Sequence, residues 1–90
     1  MLYKTTEELL SEVAVRFKKI RKIKKISQQE LSKISNVSYG TIKRFENKGE
    51  ISLHSLTMLC VALDIEYEIT NLFKKVVFNN IDEVIEYGKA

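Results

Sequence analysis

Ninety residues, with fifteen Lys or Arg, twelve Asp or Glu and a formal net charge of +3, permit one small domain, since a chain this short buries only roughly 60–65% of its unfolded surface. The absence of proline, only three glycines and an abundance of leucine, isoleucine, lysine and glutamate favour an all-α fold. The single cysteine, Cys60, excludes an intramolecular disulfide and fits a reducing cytosol. With no apolar run near the roughly 18 residues of a membrane span and no signal-peptide pattern, a cytoplasmic protein without a membrane partner is expected.

In chain order, Thr5 or Thr6 with Glu8 opens a first helix that should run to about Lys25. Leu9, Leu10, Val13, Ala14, Phe17 and Ile20 recur at spacings of three and four and make one apolar stripe. The first half of that helix packs either within the monomer core or on the C-terminal tail or a second subunit. A capped pair of short helices follows over residues 27–47. Ser27 and Ser38 can each accept from an unpaired first-turn amide, and Glu30 completes a capping box with Ser27. Ile26 with Leu31 and Val37 with Ile42 form hydrophobic staples that set the angle of each helix. Asn36 lies between the helices and tolerates a left-handed backbone at low cost. Leu31, Val37, Ile42 and Phe45 are expected to point inward.

The loop Lys48-Gly49-Glu50 leads to a third repeat of the same signal, with Ser52 as cap and Ile51 stapled to Leu56. Leu53, Leu56, Leu59, Cys60 and Leu63 make the expected buried stripe of a fourth helix that ends at Asp64. Glu66 to Phe73 reads as a short fifth helix, with Tyr67, Ile69, Leu72 and Phe73 available for packing. Val76 to Phe78 is a strand or an extended connector. Asn80 caps a last helix over Ile81–Tyr87, with Ile81, Val84, Ile85 and Tyr87 facing inward and Gly88 as its stop. The domain is placed at residues 1–75 and a tail, the candidate dimerisation element, at 76–90.

Charge is segregated along the chain. Arg16 to Lys48 holds eleven cations against two carboxylates, +9, whereas residues 1–15 and 49–90 carry −2 and −4. A solvated lysine-rich helix face explains residues 18–25 alone as well as a polyanion surface does. Beside two short capped helices with basic side chains on the second, the pattern of a DNA-binding helix-turn-helix, nucleic acid becomes the better reading.

From about Phe17 to Phe73 the sequence resembles the lambda-repressor-like (Cro/CI, or XRE) helix-turn-helix regulators. The resemblance rests on Arg21, on Ser27-Gln28-x-Glu30-Leu31, on Val37-Ser38, on Ile42, on Phe45-Glu46-Asn47, and on Ser52-Leu53 and Ala62-Leu63 around the fourth helix. The sequence departs from the usual pattern at Ser32 for alanine, Asn36 for glycine, Ser35 for an apolar residue, and Lys25 and Lys48 for glycine. The resemblance implies a compact five-helix DNA-binding domain, here with a C-terminal extension that includes a short sixth helix.

The same resemblance implies roles for individual residues. Arg21 corresponds to the arginine that pairs with the glutamate ending the recognition helix, Glu46; the alternative is one more exposed charge. Gln28 resembles the glutamine that clamps a phosphate, and Asn47 and Lys48 resemble a second phosphate clamp. Tyr39, Gly40, Lys43 and Arg44 correspond to groove-facing positions. Arg44 can donate bidentately to guanine, and Lys43 can reach guanine or a phosphate. Thr41 touches a phosphate or satisfies a first-turn amide locally. Tyr39 contacts a thymine methyl or the backbone, or shields the staple beneath it. Gly40 either admits close approach to the groove or is simply tolerated in a first turn.

No catalytic or metal-binding arrangement is visible. His54 stands alone, no glycine-rich loop precedes a helix as a phosphate cradle, and the serines lack a histidine base. An enzyme and a cofactor are not expected. The leading expectation is a sequence-specific regulator of transcription, a repressor, acting as a homodimer on a palindromic double-stranded operator. An antitoxin that binds a toxin partner and autoregulates its operon is the second reading. A protein-interaction module that does not read DNA is the third.

Overall fold

The computed structural model describes residues 3–75 and 80–89. Among these, six helices and no strand are present: α1 Thr6–Ile23, α2 Gln28–Ser35, α3 Tyr39–Lys48, α4 Leu53–Ala62, α5 Tyr67–Thr70 and α6 Ile81–Lys89. The all-α, lambda-repressor-like fold expected from the sequence is the one observed. Val76–Phe78, where a strand or connector was the expectation, lie outside the described residues.

The first four helices begin where the sequence places a hydroxyl. Thr5 and Ser27 each accept from the amide three residues on, while Glu8 and Glu30 return the bond to the cap backbone and close two capping boxes. Ser38 and Ser52 cap α3 and α4 by accepting from the amides of Thr41 and Ser55. The helix ends are less conventional. Lys25, Asn36 and Asp64 all take positive φ, at 59°, 62° and 58°. After α1, Ile26 N–H donates to Arg21 C=O and Lys25 N–H to Lys22 C=O. After α4, Ile65 N–H donates to Cys60 C=O and Asp64 N–H to Val61 C=O. Both are Schellman closures built without glycine, and each directs an apolar residue, Ile26 or Ile65, back onto the core.

The core joins Ala14 and Phe17 of α1, Leu31 of α2, Val37 of the turn, Ile42 and Phe45 of α3, Leu59 and Cys60 of α4, and Leu63 and Ile65 beyond it. Phe17 meets Phe45 edge to face, with ring centroids 5.2 Å apart. Such a contact adds about 0.5–1.5 kcal/mol to the burial of the two rings. It ties α1 directly to α3.

The apolar stripes run differently from the sequence expectation in several places. On α1 the buried line is Ala14, Phe17 and Arg21, while Leu9 and Val13 are exposed. The helix packs through a narrower face than its apolar content suggests, because α3 covers only one side of it. Leu53 is 62% exposed rather than buried, since it lies in the first turn of α4, ahead of the residues that reach the core. Helix α5 is a single turn, Tyr67–Thr70; Ile69 packs on the core, whereas Tyr67, Leu72 and Phe73 are exposed. Phe73 has a φ of 64°, incompatible with continuing that helix.

The last helix does begin with Asn80, whose Oδ1 accepts from Glu83 N–H. It runs through Gly88 to Lys89 instead of stopping there, since Gly88 does not take the positive φ of a glycine cap. Ile81, Val84, Ile85 and Tyr87 are exposed, and no residue of α6 is buried. None of the described helices is long and apolar enough to cross a membrane.

Candidate nucleic-acid interface

The site begins with how α3 is held. Its inner face, Ile42, Phe45 and Glu46, is buried. Behind Glu46 the Arg21 guanidinium donates through Nε to Oε2 at 2.7 Å and through Nη2 to Oε1 at 2.8 Å. Its third arm, Nη1, donates to Ile26 C=O at 2.8 Å and so closes the turn after α1. Gln28 Nε2 adds a bond to Glu46 Oε1 at 2.9 Å. The side chains of Arg21 and Glu46 are 8% and 0% exposed. Burial pushes the Glu46 carboxyl up, but the hydrogen bonds from Arg21 and Gln28, with the charges of Arg21 and Lys18, hold it below the ordinary carboxylate value. The bond to Glu46 raises the Arg21 pKa. Three helices thus meet at one carboxylate near the end of α3, which fixes the direction in which that helix points.

The turn between α2 and α3 is held by two hydroxyls at positions where the resemblance leads one to expect alanine and an apolar side chain. Ser32 Oγ donates to Val37 C=O at 2.7 Å, and Ser35 Oγ accepts from Val37 N–H at 3.1 Å. Both backbone groups of buried Val37 are therefore paired. Asn36 supplies the left-handed residue of the turn.

With α3 fixed from behind, Tyr39, Gly40, Lys43, Arg44, Asn47 and Lys48 are exposed together. Lys43 Nζ lies 5.2 Å from the centroid of the Tyr39 ring, a cation–π contact along the outer face. Thr41 is half-buried; its amide donates to Ser38 Oγ, and its own hydroxyl oxygen accepts from Ser38 at 2.7 Å. Gly40 is not required by the fold, because a Cβ there meets nothing within 4 Å. Arg44 is drawn to Glu50, Nε to Oε1 at 2.9 Å and Nη2 to the same oxygen at 2.7 Å. Gln28, at the first position of α2, spends one amide hydrogen on Glu46 and retains the other. The backbone amides of Gln28 and Gln29 in the same first turn have no acceptor among the described residues.

Three of these contacts were not anticipated from the sequence: Gln28 to Glu46, Lys43 to Tyr39, and Arg44 to Glu50. Lys43 stands four residues after Tyr39, the spacing at which helix neighbours meet, and that signal was available. Glu50 lies six residues after Arg44 and beyond the helix end, so only the Gly49 turn brings it back alongside.

Residues 16–72 match the Cro/C1-type HTH DNA-binding domain. The chain belongs to that family. No curated protein matches the chain at a significant level. As a Cro/C1-type domain it is a DNA-binding regulator; the outward face of α3 lies within the +9 segment from Arg16 to Lys48.

Elsewhere the surface offers little chemistry. An open groove of about 250 Å³ between α1, α4 and α5 is lined by apolar side chains, among them Phe17, Leu56 and Ile69, with Arg16 and Glu68 beside them. Cys60 reaches that groove; burial, then the Glu68 and Glu66 carboxylates, push its thiol pKa up, opposite to what a nucleophile needs. Among the described residues no three His, Cys, Asp or Glu side chains gather as a metal site.

Proposed function

We propose that this Cro/C1-type protein is a sequence-specific repressor that lays α3 in the major groove of double-stranded DNA. The observation that carries the reading is the two-sidedness of α3: Glu46 is locked behind it by Arg21, while Lys43, Arg44, Asn47 and Lys48 are exposed in front. In this reading Arg44 and Lys43 donate to guanine acceptors, and Tyr39 and Gly40 approach base edges at the head of the helix. Gln28 and the open amides at the start of α2 hold one phosphate, and Thr41, Asn47 and Lys48 hold others. Phosphate contacts set the register and base contacts supply the specificity.

One such helix reads only a few base pairs. We therefore infer a homodimer on a palindromic operator, with half-sites centred about 34 Å apart. The exposed stripe of α6, Ile81, Val84 and Ile85, supports the tail 76–90 as the dimer contact. Sedimentation that finds only monomer, with and without operator, overturns this part.

Selection of bound duplexes from a random pool tests the whole reading. It should return a defined half-site in two symmetric copies. Lys43→Ala and Arg44→Ala should each relax preference at one position, by about 1–3 kcal/mol per lost base contact. Unaltered sequence preference in both variants would remove α3 as the reading element.

A further inference from the structure

Arg44 is held on one side only. A guanidinium carries two paired-donor edges in its plane, the Nε/Nη2 side and the Nη1/Nη2 end. Glu50 Oε1 occupies the first, at 2.9 Å from Nε and 2.7 Å from Nη2. The second edge has no acceptor at Nη1 among the described residues. That end-on edge is one that can match O6 and N7 of guanine in the major groove.

The pair is open to solvent, with side chains 64% and 49% exposed, so it adds little to the stability of the fold. What it does fix is a direction. Arg44 is a long, rotamer-rich side chain near the end of α3. Glu50 follows Gly49, whose φ of 76° turns the backbone out of the helix and places the carboxylate beside the guanidinium. The backbone at that point is itself confined, because Gly49 sits against Leu10 of α1. Glu50 is thus a charge mounted on a constrained turn and aimed at the side of the arginine.

We propose that Glu50 is a specificity-determining positioning residue, whose carboxylate presents the free edge of Arg44 to a guanine and whose charge weakens attachment to DNA of any sequence. The proposal rests on Arg44 reading a base. It assigns Glu50 two effects of opposite sign. Ordering Arg44 strengthens binding to the right site, because less side-chain freedom is lost on contact. A negative charge beside the phosphate-facing lysines weakens binding to every site.

The test uses the full chain and three duplexes: the best one selected from a random pool, the same duplex with its half-site guanines replaced by 7-deazaguanine, which lacks the N7 acceptor, and a shuffled duplex. The proteins are wild type, Glu50→Gln, Arg44→Ala and the double variant, each checked for an unchanged thermal transition. Wild type should prefer guanine over 7-deazaguanine by roughly tenfold, and Arg44→Ala should lose that preference. Glu50→Gln should bind the shuffled duplex severalfold more tightly yet lose most of the preference. The double variant should discriminate no worse than Arg44→Ala alone. A selection without guanine in the half-site, or an Arg44→Ala protein that keeps the preference, overturns base readout by Arg44 itself. If Arg44→Ala loses the preference while Glu50→Gln retains or sharpens it, Arg44 reads the base and Glu50 does not position it; a sharpened preference identifies Glu50 as a competitor for the arginine.

Discussion

Gly49→Ala should be among the most damaging single-atom changes this protein can suffer, although the residue lies in a loop after α3. Its φ is 76°, and a Cβ built there falls 2.6 Å from both Leu10 Cβ and Leu10 O and 2.7 Å from Leu10 C. Two costs add. A side chain in the left-handed region costs about 1–2 kcal/mol, and forcing a methyl into a filled contact costs about 1–3 kcal/mol. Trimming Leu10 does not relieve the clash, because two of the three atoms met belong to the α1 backbone. The expected loss, about 2–5 kcal/mol, is a large share of the about 5–13 kcal/mol available to a domain of this length. At about 4–8 °C per kcal/mol, the melting temperature should fall by at least about 8 °C. Gly40→Ala is the internal control: nothing lies within 4 Å of its added Cβ, so the same chemical change should stabilise α3 by up to about 1 kcal/mol. Urea and thermal unfolding followed by circular dichroism measure both. A Gly49→Ala protein within about 0.5 kcal/mol of wild type would refute the claim that α1 presses on this turn.

Glu46→Gln should lower stability at neutral pH by up to about 3–5 kcal/mol, the loss expected when one partner of a buried pair is removed. The sign of the pH effect follows from the depressed Glu46 carboxyl. The wild-type advantage is present above the unfolded-state value of about 4.3 and disappears as pH falls through the lower folded-state value. Urea titrations at neutral pH and through the acid range should show the two proteins converging, with some slope left in the variant because Glu12 and Glu30 are also depressed; curves that stay parallel would contradict this. Ser35→Ala should cost about 1–3 kcal/mol, because the buried Val37 N–H loses its acceptor; a neutral result would mean that water or a backbone shift replaces the hydroxyl.

Much of this fold is written locally. A short polar cap residue, supported by an apolar residue before it or a glutamate three positions on, specifies a helix start within one turn, with no knowledge of what packs above it. Thr5, Ser27, Ser38, Ser52 and Asn80 accordingly cap the helices that they announce. Helix ends are less legible, because a left-handed residue need not be glycine. Lys25 and Asp64 adopt it when a Schellman pair and the packing of a half-buried Ile26 or a buried Ile65 offset its strain. The burial of Ile65 is not legible in the sequence for this reason: it follows from the closure at Asp64 and from no helical period. The side of a stripe that becomes core is decided by its neighbours, which is why Leu9, Val13 and Leu53 read as core and lie exposed.

The interface divides along the same line. Residues fixed by packing, such as Phe45, follow from periodicity, whereas the linkage between Arg21 and Glu46, 25 residues apart, came only through resemblance. What no local pattern reveals is how the outer side chains hold one another. Arg44 looks from the sequence like a solitary cation on a helix surface, yet its neighbour is chosen by the turn at Gly49, and that turn is chosen by contact with Leu10 near the other end of the chain. On the proposed reading, the aim of Arg44 on α3 therefore depends on α1 through backbone packing as well as through the Arg21–Glu46 ion pair. Substitutions at the α1–Gly49 contact that leave the protein folded should disturb sequence preference before they disturb general affinity, because phosphate attraction tolerates a misdirected guanidinium and a bidentate base contact does not.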